Sequence, residues 1–164
     1  MSNIADKHKL IAIPSDISKK TANKLTLAIQ YVSQLPETPN RQQFRTWTKA
    51  ALAQNAEIVI RIVDQEEGLS LNQRFRGRPY PTNVLTFTYD DSLPLTGDIV
   101  LCAPVVIREA QDQHKSIEAH YAHLTIHGVL HLQGYDHETD PEAAIMEQLE
   151  SQLMIQLGYS DPYC

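Results

Sequence analysis

Three histidines toward the end of the chain have the spacing of a metal-binding motif. His127 and His131 are four residues apart, so on a helix their rings lie on one face, about one turn from each other. Gly134 follows the last periodic residue and readily adopts the left-handed conformation that ends a helix. The chain then turns back and brings His137 toward the first two rings. The pattern therefore predicts three imidazoles directed at one point.

Three neutral imidazoles suit Zn²⁺, whose catalytic sites combine three protein ligands with a fourth tetrahedral position open to water. We predict one Zn²⁺ per chain on a zincin-like metal helix. The spacing matches the metzincin peptidase pattern H-E-x-x-H-x-x-G-x-x-H at its metal and turn positions, but Gly128 replaces the catalytic glutamate. Peptide hydrolysis would then lack its usual general base. Asp136 and Glu138 flank the third histidine and are candidate acceptors for the metal-binding rings, with Asp136 preferred.

Two other metal sites are compatible with the sequence. His123 and His127 have the same spacing, although no turn follows that would deliver a third ligand to this pair. A structural zinc would need a fourth protein ligand, and Cys102 or Cys164 would have to supply it. Neither cysteine has the spacing of a zinc finger, and the two predict no disulfide framework.

Arginines at two places are candidates for phosphate contacts. Arg61 interrupts an apolar, β-branched run, and an arginine in such a place needs an anionic partner or a cleft. A structural ion pair is the alternative to a functional role. Arg74, Arg76 and Arg78 form a second group, the basic strip, with no acidic residue among them. The strip is typical either of a phosphate-binding surface or of a solvated loop.

The composition limits the classes of protein to which the chain can belong. Its 164 residues fit one domain, 1–164, and 42% hydrophobic with 21% charged residues is a globular composition. A formal net charge of −6 argues against a surface that is basic throughout, so any nucleic-acid contact must be local. No apolar run approaches membrane-spanning length, and the first residues lack a signal-peptide core. We therefore expect a cytoplasmic protein without a membrane partner.

The apolar periodicity predicts an α+β fold in which five to six helices pack on a small, four-stranded mixed sheet. Strands are expected at 9–13, 57–63, 81–89 and 98–102. Helices are expected at 19–33, 41–54, 69–75, 104–113 and 117–132, followed by a last helix that begins near Thr139. Residues 64–68 are expected to form an acidic turn. Periodicity alone does not determine the order of the strands.

The histidine stretch also carries a resemblance to a known family. Residues 127–137 read H-G-V-L-H-L-Q-G-Y-D-H and satisfy every fixed position of the signature H-G-x-L-H-L-x-G-Y-D-H of the YbeY family, the ribosomal RNA maturation endoribonucleases. The likeness extends over about 57–157, with further matching stretches at 60–64, within 71–87 and at 97–100. Thr86 stands where the family more usually has serine.

The resemblance implies roles for individual residues. His127, His131 and His137 would be the zinc ligands, and Arg61 the catalytic or substrate-binding arginine. It also implies cleavage of single-stranded RNA, maturation of the 3′ end of small-subunit (16S) ribosomal RNA, ribosome quality control, and association with the small ribosomal subunit and its proteins.

Our main hypothesis from the sequence is therefore metal-assisted phosphodiester hydrolysis. The fork of Arg61 would stabilise charge that develops on phosphoryl oxygens. This chemistry tolerates the absence of a base at Gly128 better than amide hydrolysis does, because the leaving group needs less help. The alternatives are a small zinc metallopeptidase and a ribosome-binding module with a structural zinc.

Overall fold

The computed structural model describes residues 23–90 and 93–164. In chain order the elements are β1 (Leu25–Tyr31), α1 (Arg41–Ala51), β2 (Ala56–Val63), α2 (Gln65–Arg76), β3 (Val84–Asp90), β4 (Leu95–Cys102), α3 (Ala103–Asp112), α4 (Ile117–Leu132) and α5 (Asp140–Gln156). Within these residues the expected α+β fold is confirmed, with a four-stranded mixed sheet and five helices. The strand expected at 9–13 lies outside the described residues.

The sheet has the strand order β1-β2-β4-β3. β1 and β4 pair in parallel with β2, and the edge strand β3 runs antiparallel to β4. The register places Ile60 of β2 beside Ile29 of β1 and Ile99 of β4. Side chains alternate between the faces of a strand, so these three buried isoleucines lie on one face of the sheet, where the main core forms.

Helices α1, α4 and α5 contribute to that core. The ring of Phe44 in α1 lies edge-on to Trp47 and to Tyr121 of α4, with centroid distances of 5.4 and 6.0 Å. Leu149 and Leu153 of α5 are also buried there. Because α4 packs against the sheet and against α1 and α5, its backbone gives the histidines a rigid support.

The other face of the sheet carries a smaller apolar cluster. It contains Val63 of β2 and Val100 and Cys102 of β4, with Leu71 of α2 packed against it. Arg61 lies on this face too, since its strand neighbours Ile60 and Ile62 point into the main core.

The helix expected at 19–33 is wrong for its described part, because residues 25–31 form the strand β1. Leu25 and Ile29 fit helical spacing, but Leu27 and Tyr31 also pack toward the core, which completes an alternating pattern. Pairing with β2 along the whole segment decides between the two patterns.

The acidic turn expected at 64–68 is also wrong, because α2 already begins at Gln65. Asp64 caps this helix: its side chain accepts a hydrogen bond of 2.9 Å from the backbone N–H of Glu67. The short helix expected at 69–75 is thus the second part of α2. Glu66 and Glu67 lie in its first turn, where negative charge stabilises a helix.

Helix lengths and apolar content bear on membrane insertion. In residues 23–90 and 93–164, no helix combines the length and the apolar composition needed to cross a bilayer.

Candidate metal centre

Helix α4 begins after a side-chain cap and is followed by a glycine in the left-handed conformation. The side chain of Ser116 caps its first turn by accepting a 3.0 Å hydrogen bond from the N–H of Ala119. After Leu132 the chain reverses at Gly134, whose φ of 98° is left-handed. The N–H of Tyr135 donates to the carbonyl of Leu130 at 3.1 Å, which closes the turn.

That turn brings the three predicted histidines together. The ring centroids are 4.5 Å apart for His127 and His131, 4.9 Å for His131 and His137, and 5.3 Å for His127 and His137. Each ring offers one nitrogen to a group of ligand atoms that all lie within 4.8 Å of one another. The rings of His127 and His131 are partly buried, whereas His137 is exposed to solvent.

Hydrogen bonds orient two of these rings. The Nδ1–H of His131 donates to the backbone carbonyl of Tyr135 at 2.9 Å. The Nδ1–H of His127 donates to the Glu150 carboxylate at 3.2 Å. Because both acceptors hold the proton on Nδ1, the lone pair of each ring lies on Nε2 and is available to a metal.

The environment of His131 keeps its ring neutral. Burial, together with the charges of His127 and His137 nearby, lowers its pKa to about 4. At neutral pH this ring therefore has a free lone pair. Together with His127 and His137 it provides three imidazole nitrogens, a donor set suited to Zn²⁺, so the residues fit the predicted ion.

Glu150 is the main partner that the sequence reasoning missed. It lies on α5 with a side chain that is 1% exposed, and its carboxylate also accepts hydrogen bonds from His123 and, at 2.8 Å, from the hydroxyl of Tyr163. Although burial acts in the opposite direction, the hydrogen bonds and charges of His123 and His127 lower the pKa of Glu150 to about 2. Glu150 is thus a buried, ionised acceptor behind the first histidine.

A signal for Glu150 was present in the sequence. Met146, Leu149 and Leu153 form the apolar stripe of α5, and residue 150 lies within that stripe. A carboxylate on the buried face of a helix needs polar partners, and histidines are suitable donors.

The three histidines line a cavity of about 540 Å³. Arg76, Arg78 and Tyr80 line it as well, and the hydroxyl of Tyr80 accepts a 2.9 Å hydrogen bond from Arg78. The remaining lining residues are Asn72, Thr82, Asn83, Val84, Thr86, Asp136 and Glu138. The cavity therefore combines a candidate metal centre with two guanidinium groups.

Comparisons with known proteins identify the family. The family model of endoribonuclease YbeY matches residues 20–158. The chain belongs to the endoribonuclease YbeY family. Among curated YbeY endoribonucleases, it is 61% identical to that of Nitrosomonas europaea over 85% of each chain. It is 54% identical to that of Methylobacillus flagellatus over 85% of this chain and 94% of the relative.

A solved structure agrees with the fold. The solution structure of a Thermotoga maritima protein covers 84% of this chain and 97% of its own, with a TM-score of 0.52 and 24% identity. This likeness concerns the architecture of the YbeY-family domain alone.

The basic strip is divided by the structure. Arg76 and Arg78 line the histidine cavity, but the guanidinium of Arg74 lies over the ring of Phe75, 5.4 Å from its centroid. Successive positions near the end of α2 point in different directions, so two of the three arginines line this cavity.

Arg61 forms the ion pair that the sequence offered as its structural alternative. Its Nε donates to one carboxylate oxygen of Glu67 at 2.5 Å and its terminal nitrogen to the other at 2.9 Å. A third hydrogen bond of 2.8 Å joins it to Gln30 of β1. This group lies on the sheet face opposite the one that α4 covers. The catalytic role of Arg61 stays a prediction that follows from the resemblance.

Gly128 lies on the side of α4 that packs against β4. A Cβ at this position would be 3.1 Å from the side chain of Ile99. A glutamate here would meet β4, so the catalytic glutamate of the metzincin pattern has no comparable place in this chain.

The other proposed metal sites find no support among the described residues. His123 is not part of the ligand group, because its Nε2 is hydrogen-bonded to Glu150. Cys102 is buried in β4 and directs its thiol to the carbonyl of Asp64, and the thiol of Cys164 donates a hydrogen bond to the carboxylate of Asp161.

Asp136 lies beside the third histidine. It accepts a 2.8 Å hydrogen bond from the backbone N–H of His137, and the same oxygen is 3.9 Å from Nδ1 of that ring.

Proposed function

We propose that His127, His131 and His137 bind one Zn²⁺ and that the cavity around them cleaves single-stranded RNA. The observation that carries this proposal is that three imidazoles and two arginines line the same cavity. Arginine matches phosphate geometry and keeps its charge, so Arg76 and Arg78 suit the RNA backbone. When bound, zinc supplies Lewis-acid polarisation and a more acidic water for hydrolysis.

The chain's own residues have separable tasks in this proposal. Arg76 and Arg78 bind phosphates of the strand and thereby hold it against the metal centre. Glu150 and the carbonyl of Tyr135 hold the rings of His127 and His131 in the orientation and tautomer that binding requires.

We further propose that the substrate is the 3′ end of small-subunit (16S) ribosomal RNA. The protein would then act in the cytoplasm with the small ribosomal subunit and its associated proteins, in rRNA maturation and ribosome quality control. Membership of the YbeY family supports this part of the proposal, and a net charge of −6 agrees with a protein that reaches RNA through a local surface.

Metal analysis tests the metal centre directly. We expect one zinc per chain in protein purified without added metal, and loss of that zinc in a His131→Ala variant, because two histidines with water hold zinc much more weakly than three. Retention of one zinc per chain by a folded His131→Ala variant would contradict the proposed ligand set.

Substrate assays test the reaction. The metal-loaded protein should cut an unstructured RNA and leave casein intact. Casein cleavage without RNA cleavage would instead support the metallopeptidase alternative. RNA binding without cleavage of either substrate would support the ribosome-binding module.

A further inference from the structure

A second cavity of about 370 Å³ adjoins the histidines. It shares Asn83, Val84, His127 and His137 with the first cavity, so the two volumes meet at the metal centre. Its own lining includes Lys115, which is partly buried and lies just before the start of α4. The candidate metal centre therefore borders both an arginine-lined cavity and a lysine-lined one.

An endonuclease cleaves an internal bond and must accommodate nucleotides on both sides of the scissile phosphate. We propose that the Lys115 cavity binds the nucleotide on the side of the cleaved bond opposite to Arg76 and Arg78, with the Lys115 ammonium contacting its phosphate. This subsite depends on the proposed RNA cleavage and defines how the strand crosses the site. A volume of about 370 Å³ lies within the usual range of small-ligand pockets, about 300–1,000 Å³, and is enough for one nucleotide.

One cation, Lys115, and one carboxylate, Glu109, line the cavity. One oxygen of the Glu109 carboxylate already accepts hydrogen bonds from His120 at 2.8 Å and from Asn83 at 3.0 Å. Burial lowers the pKa of Lys115 and the Glu109 charge opposes that shift. A bound phosphate would compensate the burial of the ammonium and favour its charged form.

The ring of Tyr163 offers a nucleotide a further contact. Tyr163 lines the cavity, and its ring lies edge-on to His123 with centroids 5.4 Å apart. Its hydroxyl is fixed by Glu150. An aromatic ring held in this way is a candidate surface for a base, as in other proteins that bind single-stranded nucleic acids.

Binding measurements on metal-free protein test the phosphate contact without depending on catalysis. The probe is a short, unstructured, fluorescently labelled RNA, and its affinity is measured by anisotropy over a range of salt concentrations. Lys115→Ala should weaken binding and reduce the slope of log affinity against log salt by about 0.7, the value for one phosphate on a single strand. Lys49→Ala, which removes an exposed lysine of α1, is the matched control and should leave the slope unchanged.

Trimmed RNAs then test which side of the bond the cavity binds. First, the bond that the wild-type protein cuts is mapped. Two shorter RNAs are then made, one that ends at this bond and one that begins at it. Lys115→Ala should lose affinity for only one of the two trimmed RNAs, and Arg78→Ala for only the other one.

The outcomes separate this subsite from the proposed function. If the wild-type protein cuts RNA but Lys115→Ala binds every RNA as the wild type does, the subsite is wrong and the function stands. If Lys115→Ala and Arg78→Ala lose affinity for the same trimmed RNA, both groups lie on one side of the bond and the subsite is also wrong. A wild-type protein that cuts no RNA refutes the proposed function, and the subsite with it.

Discussion

Glu150 offers the sharpest test of how the protein prepares its metal centre. Its two carboxylate oxygens accept from three donors: one oxygen from His127, and the other from His123 and Tyr163. Glu150→Gln keeps the shape of the side chain but replaces one accepting oxygen with an NH₂ group that can only donate. If that NH₂ faces Nδ1 of His127, it stabilises the tautomer with the proton on Nε2, and that nitrogen then has no lone pair for the metal.

The expected loss follows from this geometry. Replacing the partner of a metal-binding histidine typically lowers metal affinity about 10- to 100-fold, which corresponds to about 1.4 to 2.8 kcal/mol. Glu150→Gln should fall in this range because the carboxylate is buried, with a side chain that is 1% exposed. Tyr163→Phe removes a donor to Glu150 but leaves the His127 hydrogen bond in place, so it should change zinc affinity much less.

Competition with a chromophoric chelator at neutral pH measures the zinc affinity of each variant. Glu57→Gln, which neutralises an exposed glutamate of β2, controls for the change in net charge. Glu150 does not orient His127 for zinc if folded Glu150→Gln binds zinc as tightly as the wild type, or if Glu57→Gln loses as much affinity.

The same residue predicts a pH dependence of stability in the metal-free protein. The folded-state pKa of about 2 lies below the ordinary value of 4.5, so the unfolded chain binds a proton at Glu150 more readily than the folded chain does. The ionised Glu150 carboxylate therefore stabilises the folded state fully above about pH 4.5, and this contribution is lost as the pH falls toward about 2. Its total is on the order of 3 kcal/mol of unfolding free energy. Urea unfolding at several acidic pH values should show a steeper loss for the wild type than for Glu150→Gln, and parallel curves would contradict this assignment.

Further substitutions separate the arginines by task. Arg61→Ala should leave zinc content intact. If the arginine acts in catalysis, this variant should lower the initial rate of RNA cleavage far more than Glu67→Gln does. Equal effects of the two variants would make Arg61 a structural partner of Glu67. Replacing Arg76 and Arg78 together should weaken RNA binding and reduce the slope of log affinity against log salt by about 1.4, since each phosphate contact on a single strand contributes about 0.7. Arg74→Ala should change neither the affinity nor the slope. Equal contributions of all three arginines in anisotropy titrations would contradict this division.

Local chemistry made much of the site predictable from sequence. The bounds expected for the metal helix, 117–132, coincide with α4 because Ser116 caps its start and Gly134 supplies the left-handed residue that follows its end. The convergence of the three histidines follows from helical spacing and this turn, and both are local properties of the chain. The same reasoning holds for α5, whose start is fixed by the side chain of Thr139.

Other features were decided only by contacts between segments far apart in sequence. The apolar residues of 25–31 fit a helix and a strand equally well, and pairing with β2 selected the strand. The face on which Arg61 lies, and its pairing with Glu67, depend on the sheet and on the position of α2. Glu150 reaches His127 across 23 residues of sequence because α5 packs against α4. Spacing along the chain thus determines which residues can bind a metal, since a helical turn fixes their geometry. Which side chains these histidines contact, and which cavities they line, is decided by the packing of distant segments.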